Sequence, residues 1–206
     1  FLQEMDGYAE RIQARTQRVK EQTRIALEEV NRFHGIPCSP EHQLLIQKVS
    51  YIHQYIQRIF YLNDDDERCK LIRNTLAEKV PGSEFVTPAG YHVWLTSRHD
   101  LHTDDNMVAI SHGKYMAVID PDSLIDVLPH PSYPIYAAII TDRGLRVIAS
   151  NHPIAPDVWQ NVLHHDQPML EVDGIVYKQQ PLPPVGSTLI TWSATKPIDT
   201  NWFHQL

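Results

Sequence analysis

The sequence predicts an α+β fold, a long N-terminal helix followed by a mainly antiparallel sheet. Three observations carry that expectation. Apolar and small residues recur at alternating three- and four-residue steps from Leu2 to Phe33, the seam of a long helix. Beyond Pro81-Gly82 the helical period gives way to short β-rich runs separated by turn residues. The separations at His112-Gly113, Asp142-Arg143-Gly144 and Asp173-Gly174 read as hairpin turns, and successive hairpins make an antiparallel meander.

Composition bounds the rest. A chain of 206 residues with 42% hydrophobic side chains can bury one sizeable core. Its 18 basic and 25 acidic side chains leave a formal charge of −7, which argues against nucleic acid as a partner. No apolar run reaches the roughly 18 residues that a membrane-spanning helix needs. The chain opens on Phe1 rather than Met, so it is expected to be a piece of a longer protein, with membrane spans outside its ends.

The first element is the helix whose seam runs through Leu2, Met5, Ala9, Ile12, Thr16, Val19, Thr23, Ala26, Val30 and Phe33. Charged residues such as Glu10, Arg18, Arg24 and Glu28 form a solvated belt around it. Over residues 2–33 such a helix would reach about 48 Å, more than a small domain is wide. Part of the seam is therefore expected to protrude and pair with a second copy, through Met5, Ile12, Val19 and Ala26. Residues 1–35 would be a signalling helix beside a membrane, and 36–206 a single α+β domain carrying it.

His34-Gly35-Ile36-Pro37-Cys38-Ser39-Pro40-Glu41 ends that helix and opens another. If residues 41–62 were one straight helix, its ends would lie about 33 Å apart. Leu44, Leu45, Lys48 and Val49 keep a helical period, whereas Tyr55–Leu62 is β-branched and aromatic. A helix of about three turns and a returning strand fit this better, with a turn in the acidic run at 63–67. That path carries Cys69 back towards Cys38.

After Cys69, residues 71–80 read as a short helix, and Val93–Leu95 as a strand before a polar loop at 97–106. Met107–Ile110 and Tyr115–Ile119 flank the first hairpin turn, and Asp120-Pro121-Asp122-Ser123 caps a short helix through Leu128. Ile135–Thr141 pairs with Leu145–Ser150, Pro156–His164 is a helix, and Met169–Val172 pairs with Ile175–Tyr177. A proline-rich linker, Pro181–Pro184, leads to a last strand at Thr188–Ser193. A long helix followed by such a sheet resembles the PAS/Cache-type sensor fold, a likeness of fold that carries no function by itself.

Cys38 and Cys69 are the only cysteines. By count they fit one disulfide in an oxidising compartment or two buried thiols in the cytosol. The order of features is more telling: Cys-Ser-Pro-Glu opening a short helix, an aliphatic strand, an acidic turn, then the second cysteine. It resembles the CSS-motif periplasmic domain of membrane-bound bacterial cyclic-di-GMP phosphodiesterases of the EAL type. Cys38 is followed by Ser39-Pro40 and Cys69 by Lys70-Leu71, so an intact Cys-Ser-Ser triad is missing.

The resemblance implies a redox disulfide between Cys38 and Cys69 that restrains a distant phosphodiesterase when oxidised. It also implies a periplasmic location and periplasmic thiol-disulfide oxidoreductases as partners; no Glu-Ala-Leu string or phosphodiesterase metal-ligand set occurs in the sequence, so this fragment is not expected to catalyse. The runner-up is an extracytoplasmic domain that binds a small molecule and whose disulfide is purely structural. Its ligand would meet aromatic walls and one charged anchor drawn from Tyr91, Trp94, Tyr115, Tyr136 and Arg143. For each of these, an ordinary core or surface role is the simpler reading.

No cofactor and no metal are expected. His34, Cys38 and His42 recur every four residues, but Gly35, Pro37 and Pro40 forbid the continuous helix that would align them. His99, His102, Asp104 and Asp105 sit on a polar loop that reads better as solvated, and His164-His165-Asp166 as a helix C-terminus. A third reading, a cytosolic thiol enzyme, would use His34 or His42 beside a cysteine. No nucleophile motif or phosphate-binding glycine loop supports it.

Overall fold

The computed structural model describes residues 1–62, 69, 75–76, 82–95, 107–129, 133–141, 146–182 and 186–194. Contacts group them into two compact units, residues 1–16 with 124–206, and residues 17–123. The grouping cuts through the first helix. The chain is the expected α+β fold, a long helix followed by mainly antiparallel sheet, but the strands form two sheets instead of one. Hairpin signals fix which neighbouring strands pair, and they leave open where one sheet stops and the next begins.

Helix α1 spans Leu2–Asn31. The four residues expected to pair with a second copy are covered by their own chain: Met5, Ile12 and Ala26 are 0% exposed and Val19 is 1%. This corrects the expectation of a protruding seam. Its hydroxyls are buried without loss, because Thr16 Oγ1 donates to the Ile12 carbonyl (3.0 Å) and Thr23 Oγ1 to that of Val19 (2.7 Å). No helix of the described residues is long and apolar enough to cross a membrane.

In the unit of residues 17–123, α2 (Pro40–Ile52) leads into β1 (Ile56–Leu62), the helix-then-strand path read from the sequence. The sheet continues with β2 (Thr75–Leu76), β3 (Phe85–Val86), β4 (His92–Trp94), β5 (Val108–His112) and β6 (Tyr115–Ile119), in the order β2-β1-β6-β5-β4-β3. One face buries Ile59, Tyr61, Tyr115 and Ala117 against Ala26, Leu27 and Val30 of α1 and Ile46 and Val49 of α2. The other gathers Phe60, Trp94, Met107, Ala109, Met116 and Val118. The helix expected over 71–80 is corrected in part: Thr75–Leu76 is a strand parallel to the end of β1, and the rest lies outside the described residues. Pairing with the end of β1 outweighs a weak local preference there. The acidic turn at 63–67 and the polar loop at 97–106 also lie outside the described residues.

In the other unit the sheet comprises β7 (Tyr136–Thr141), β8 (Val147–Ser150), β9 (Met169–Val172), β10 (Ile175–Leu182) and β11 (Ser187–Ala194), ordered β8-β7-β11-β10-β9. Helix α3 (Pro156–His164) lays Trp159 and Val162 on Ala138, Ile140, Tyr177, Ile190 and Trp192. The first turns of α1 are tied to the same unit: Lys178 Nζ meets Asp6 Oδ1 at 2.5 Å, and Asn151 Nδ2 donates to the Tyr8 hydroxyl at 2.6 Å. The Asp173-Gly174 turn is confirmed, both residues having positive φ (53° and 76°) as a type I′ hairpin requires.

Two boundaries moved. Strand β10 runs on through Pro181-Leu182, into the expected linker, because β9 pairs with it only as far as Lys178. Pro181 therefore withholds no N–H from β9. The helix expected through Leu128 is a 3-10 turn over Pro121–Leu124. Ile125 is buried but Leu128 is exposed, so no apolar stripe extends to hold a longer helix.

Candidate functional site

The start of α2 is built from the residues around Cys38. Ser39 is the N-cap, its Oγ accepting the His42 N–H at 3.2 Å, and Pro40 takes the first helical position, where proline is tolerated. His42 thus stands where a capping box places Glu or Gln, and it reaches back in the same manner. Its Nδ1 accepts the backbone N–H of Cys38 at 2.8 Å, one residue further out than the usual partner. The second serine of the motif is absent, yet the helix start is intact.

Cys38 has φ 62°, the left-handed region that costs a residue with a Cβ about 1–2 kcal/mol. Among the described residues, three restraints hold it there. Its N–H is held by His42, its carbonyl accepts Gln43 Nε2 at 3.1 Å, and its sulfur is bonded to Cys69. The two Cα atoms lie 5.4 Å apart across a sequence separation of 31. Closing a loop of that length stabilises the fold by about 3–4 kcal/mol in the chain-entropy treatment. Cys69 is 1% exposed and packs in the core beside Tyr61 and Tyr115.

His42 is itself buried, at 1% exposure. Because Nδ1 accepts from Cys38, a neutral ring must carry its proton on Nε2, and it donates that proton to the Tyr115 hydroxyl at 2.6 Å. Phe33 stacks on the ring at 4.4 Å, and Tyr61 meets it edge-on at 4.7 Å. Burial pushes the imidazole pKa down, so the neutral form is favoured. Burial, with Tyr61 alongside, pushes the Tyr115 phenol up to about 12.

Tyr115 opens β6 immediately after the β5–β6 turn, and that turn is gripped by the end of α1. Asn31 Nδ2 donates to the carbonyls of Leu27 (2.7 Å) and His112 (3.0 Å), while its Oδ1 accepts the Lys114 N–H at 3.3 Å. Gly113 has φ 62°, and a Cβ there would overlap the Asn31 amide. A chain of contacts therefore runs from the disulfide through His42, Tyr115 and the turn to α1.

Of the residues expected to line a ligand site, Tyr91 packs against the cluster that holds Tyr115. Tyr115 belongs to the His42 cluster, and Trp94 to the opposite face of the same sheet. Tyr91 stacks on His112 at 4.4 Å, its phenol raised by burial and then by Glu28. Tyr136 lies in the other sheet, tilted against His152 at 4.0 Å, and Arg143 is outside the described residues. His99, His102, Asp104 and Asp105 are outside them too. His164 and His165 do end α3, where His164 Nδ1 donates to the Gln160 carbonyl at 2.6 Å. His34 is exposed, whereas His42 adjoins Cys38 as an acceptor for its backbone. Sequence reasoning weighed His42 only as a metal ligand or thiol base; the signal it passed over is Ser39-x-x-His42, a capping box with imidazole in place of carboxylate.

Fold and site together define a helix-led α+β domain of PAS/Cache-like layout, braced by one disulfide at the start of its second helix. Comparison with known proteins gives the family. The CSS motif domain associated with EAL matches residues 2–206, and the chain belongs to that family. It is similar to the probable cyclic di-GMP phosphodiesterase PdeB of Escherichia coli strain K12, at 35% identity over 211 residues. That match covers 100% of this chain and 40% of the relative's length. No solved structure matches.

Proposed function

We propose that the chain is a periplasmic redox-sensing domain whose Cys38–Cys69 disulfide regulates a cytoplasmic EAL-type cyclic di-GMP phosphodiesterase domain lying outside it. The family and the name of the relative support the output. The observation that carries the sensing is the placement of the disulfide. It fixes a left-handed residue at the start of α2, and the His42–Tyr115 contact and the Asn31 clamp lead from there to α1. Reduction frees the start of α2, and the change reaches α1 by this route. The coupling is bounded by the free-energy difference the bond makes between two arrangements of α1. Much of the loop-closure gain acts on the unfolded chain and does not contribute to it. Periplasmic thiol-disulfide oxidoreductases would set the state of the bond, and catalysis belongs to the part of the protein beyond this chain.

The test uses the full-length protein in membrane vesicles. Cyclic di-GMP hydrolysis is expected to be slower in the oxidised wild type than in C38S/C69S, and to rise when the wild type is reduced. Intact mass before and after alkylation reports the state of the bond. Equal rates with the bond proven open and closed would leave the disulfide a structural brace and favour the ligand-sensing reading.

A further inference from the structure

We propose that His42 ties the Cys38–Cys69 redox equilibrium to the pH around the protein, acid favouring the reduced pair, because only the neutral ring can accept the Cys38 N–H. The inference rests on the redox reading of the disulfide and adds a second input to it. A protonated ring would point an N–H from Nδ1 at the N–H of Cys38 across 2.8 Å, donor against donor. The oxidised form needs that contact, since it helps hold Cys38 at φ 62° while the sulfur is tethered to Cys69. Once the tether opens, Cys38 can leave the left-handed region, and the ring is free to take its second proton.

The surroundings of the ring suit a switch of this kind. From β1 it faces the Tyr61 phenol, from β6 the Tyr115 phenol, and from the segment after α1 the phenyl ring of Phe33. On its own helix Glu41 is exposed, and burial lowers the pKa of the ring. Tyr115 Oη can accept from Nε2 in either protonation state, so it holds the ring in place while Nδ1 changes role.

In a glutathione buffer the exchange balances as protein disulfide plus two glutathione thiols giving protein dithiol plus glutathione disulfide. Two electrons pass to the protein sulfurs, and the two thiol protons pass with them. Acid therefore leaves this equilibrium unchanged unless another group binds a proton on reduction. If His42 is that group, the equilibrium shifts towards the reduced protein as pH falls below about 6.5, by at most about tenfold per unit.

The experiment measures the equilibrium constant with glutathione between pH 5.5 and 7.5 for the wild type, His42→Asn and His42→Phe. Asn keeps an acceptor near the position of Nδ1 and cannot titrate. The wild type should shift several-fold towards the dithiol in acid, while H42N stays flat and lies near the wild-type value at pH 7.5. H42F, lacking the acceptor, should be flat and more reducible throughout; if it fails to fold, H42N alone decides. A flat wild-type profile, or an H42N profile that tracks the wild type, overturns the proposal. Neither result depends on phosphodiesterase rates, so it can fail while the redox reading stands, and an unresponsive phosphodiesterase would overturn that reading alone.

Discussion

At the scale of single residues, four side chains and one sulfur among the described residues help to hold Cys38. His42 bonds its N–H, Gln43 its carbonyl, and Phe33 and Tyr115 keep the imidazole in position. This arrangement makes the stability of the oxidised chain depend on pH, with a definite sign. The His42 pKa is lowered by burial, so between its folded value and the unfolded value near 6.5 the unfolded chain binds more protons. The stabilisation is full above about pH 6.5 and is lost as pH falls through the folded value. Urea midpoints of the oxidised wild type should drop more steeply between pH 7.5 and 5.5 than those of H42N, in which other groups titrate alike. Parallel curves would mean that the ring tolerates its second proton. The cysteine pair was legible in the sequence through its resemblance to a family. The role of His42 was only half legible: its capping partner is local, but Tyr115 lies 73 residues away and is brought to it by the sheet.

Helix α1 shows what a periodic pattern can and cannot say. Its seam correctly gave a long amphipathic helix, because periodicity reports which face is apolar. It does not report what covers that face, and the cover is the helix's own chain. Burial at Ile12 and Val19 changes the outcome of a charge scan. Ile12→Glu and Val19→Glu would each place a carboxylate among apolar neighbours without a partner, at a cost of several kcal/mol. We expect either change to lower the urea midpoint sharply or to prevent folding, with no specific effect on association. A variant that stays as stable as the wild type would show that the seam is free of the chain in solution. The strands divide in the same way. The Asp173-Gly174 hairpin was legible because positive φ at two adjacent residues is a local demand, whereas β2 pairs in parallel across a long connection and leaves no local mark.

For the whole molecule, both sheets place their last strand beside the first and the second strand on the outer edge of the first. No repeat in the sequence announced this shared order. In the unit that holds the disulfide, the redox proposal makes a geometric claim that can be measured inside one chain, whatever its association state. Gln17 on α1 and Gln47 on α2 are both exposed, so spin labels there should not disturb packing. Labels attached through ketone-bearing residues leave Cys38 and Cys69 in their native role. In the full-length protein in a bilayer, the oxidised state should give one narrow distance distribution, because the disulfide, Gln43 and His42 all restrain the start of α2. Reduction should broaden or shift it. Asn31→Ala releases the grip of α1 on the β5–β6 turn, and should weaken the response of the phosphodiesterase while leaving the disulfide as easy to reduce. Identical distributions before and after reduction, with alkylation confirming two free thiols, would show that α2 does not move against α1. The signal would then need a route that avoids the His42–Tyr115–Asn31 path.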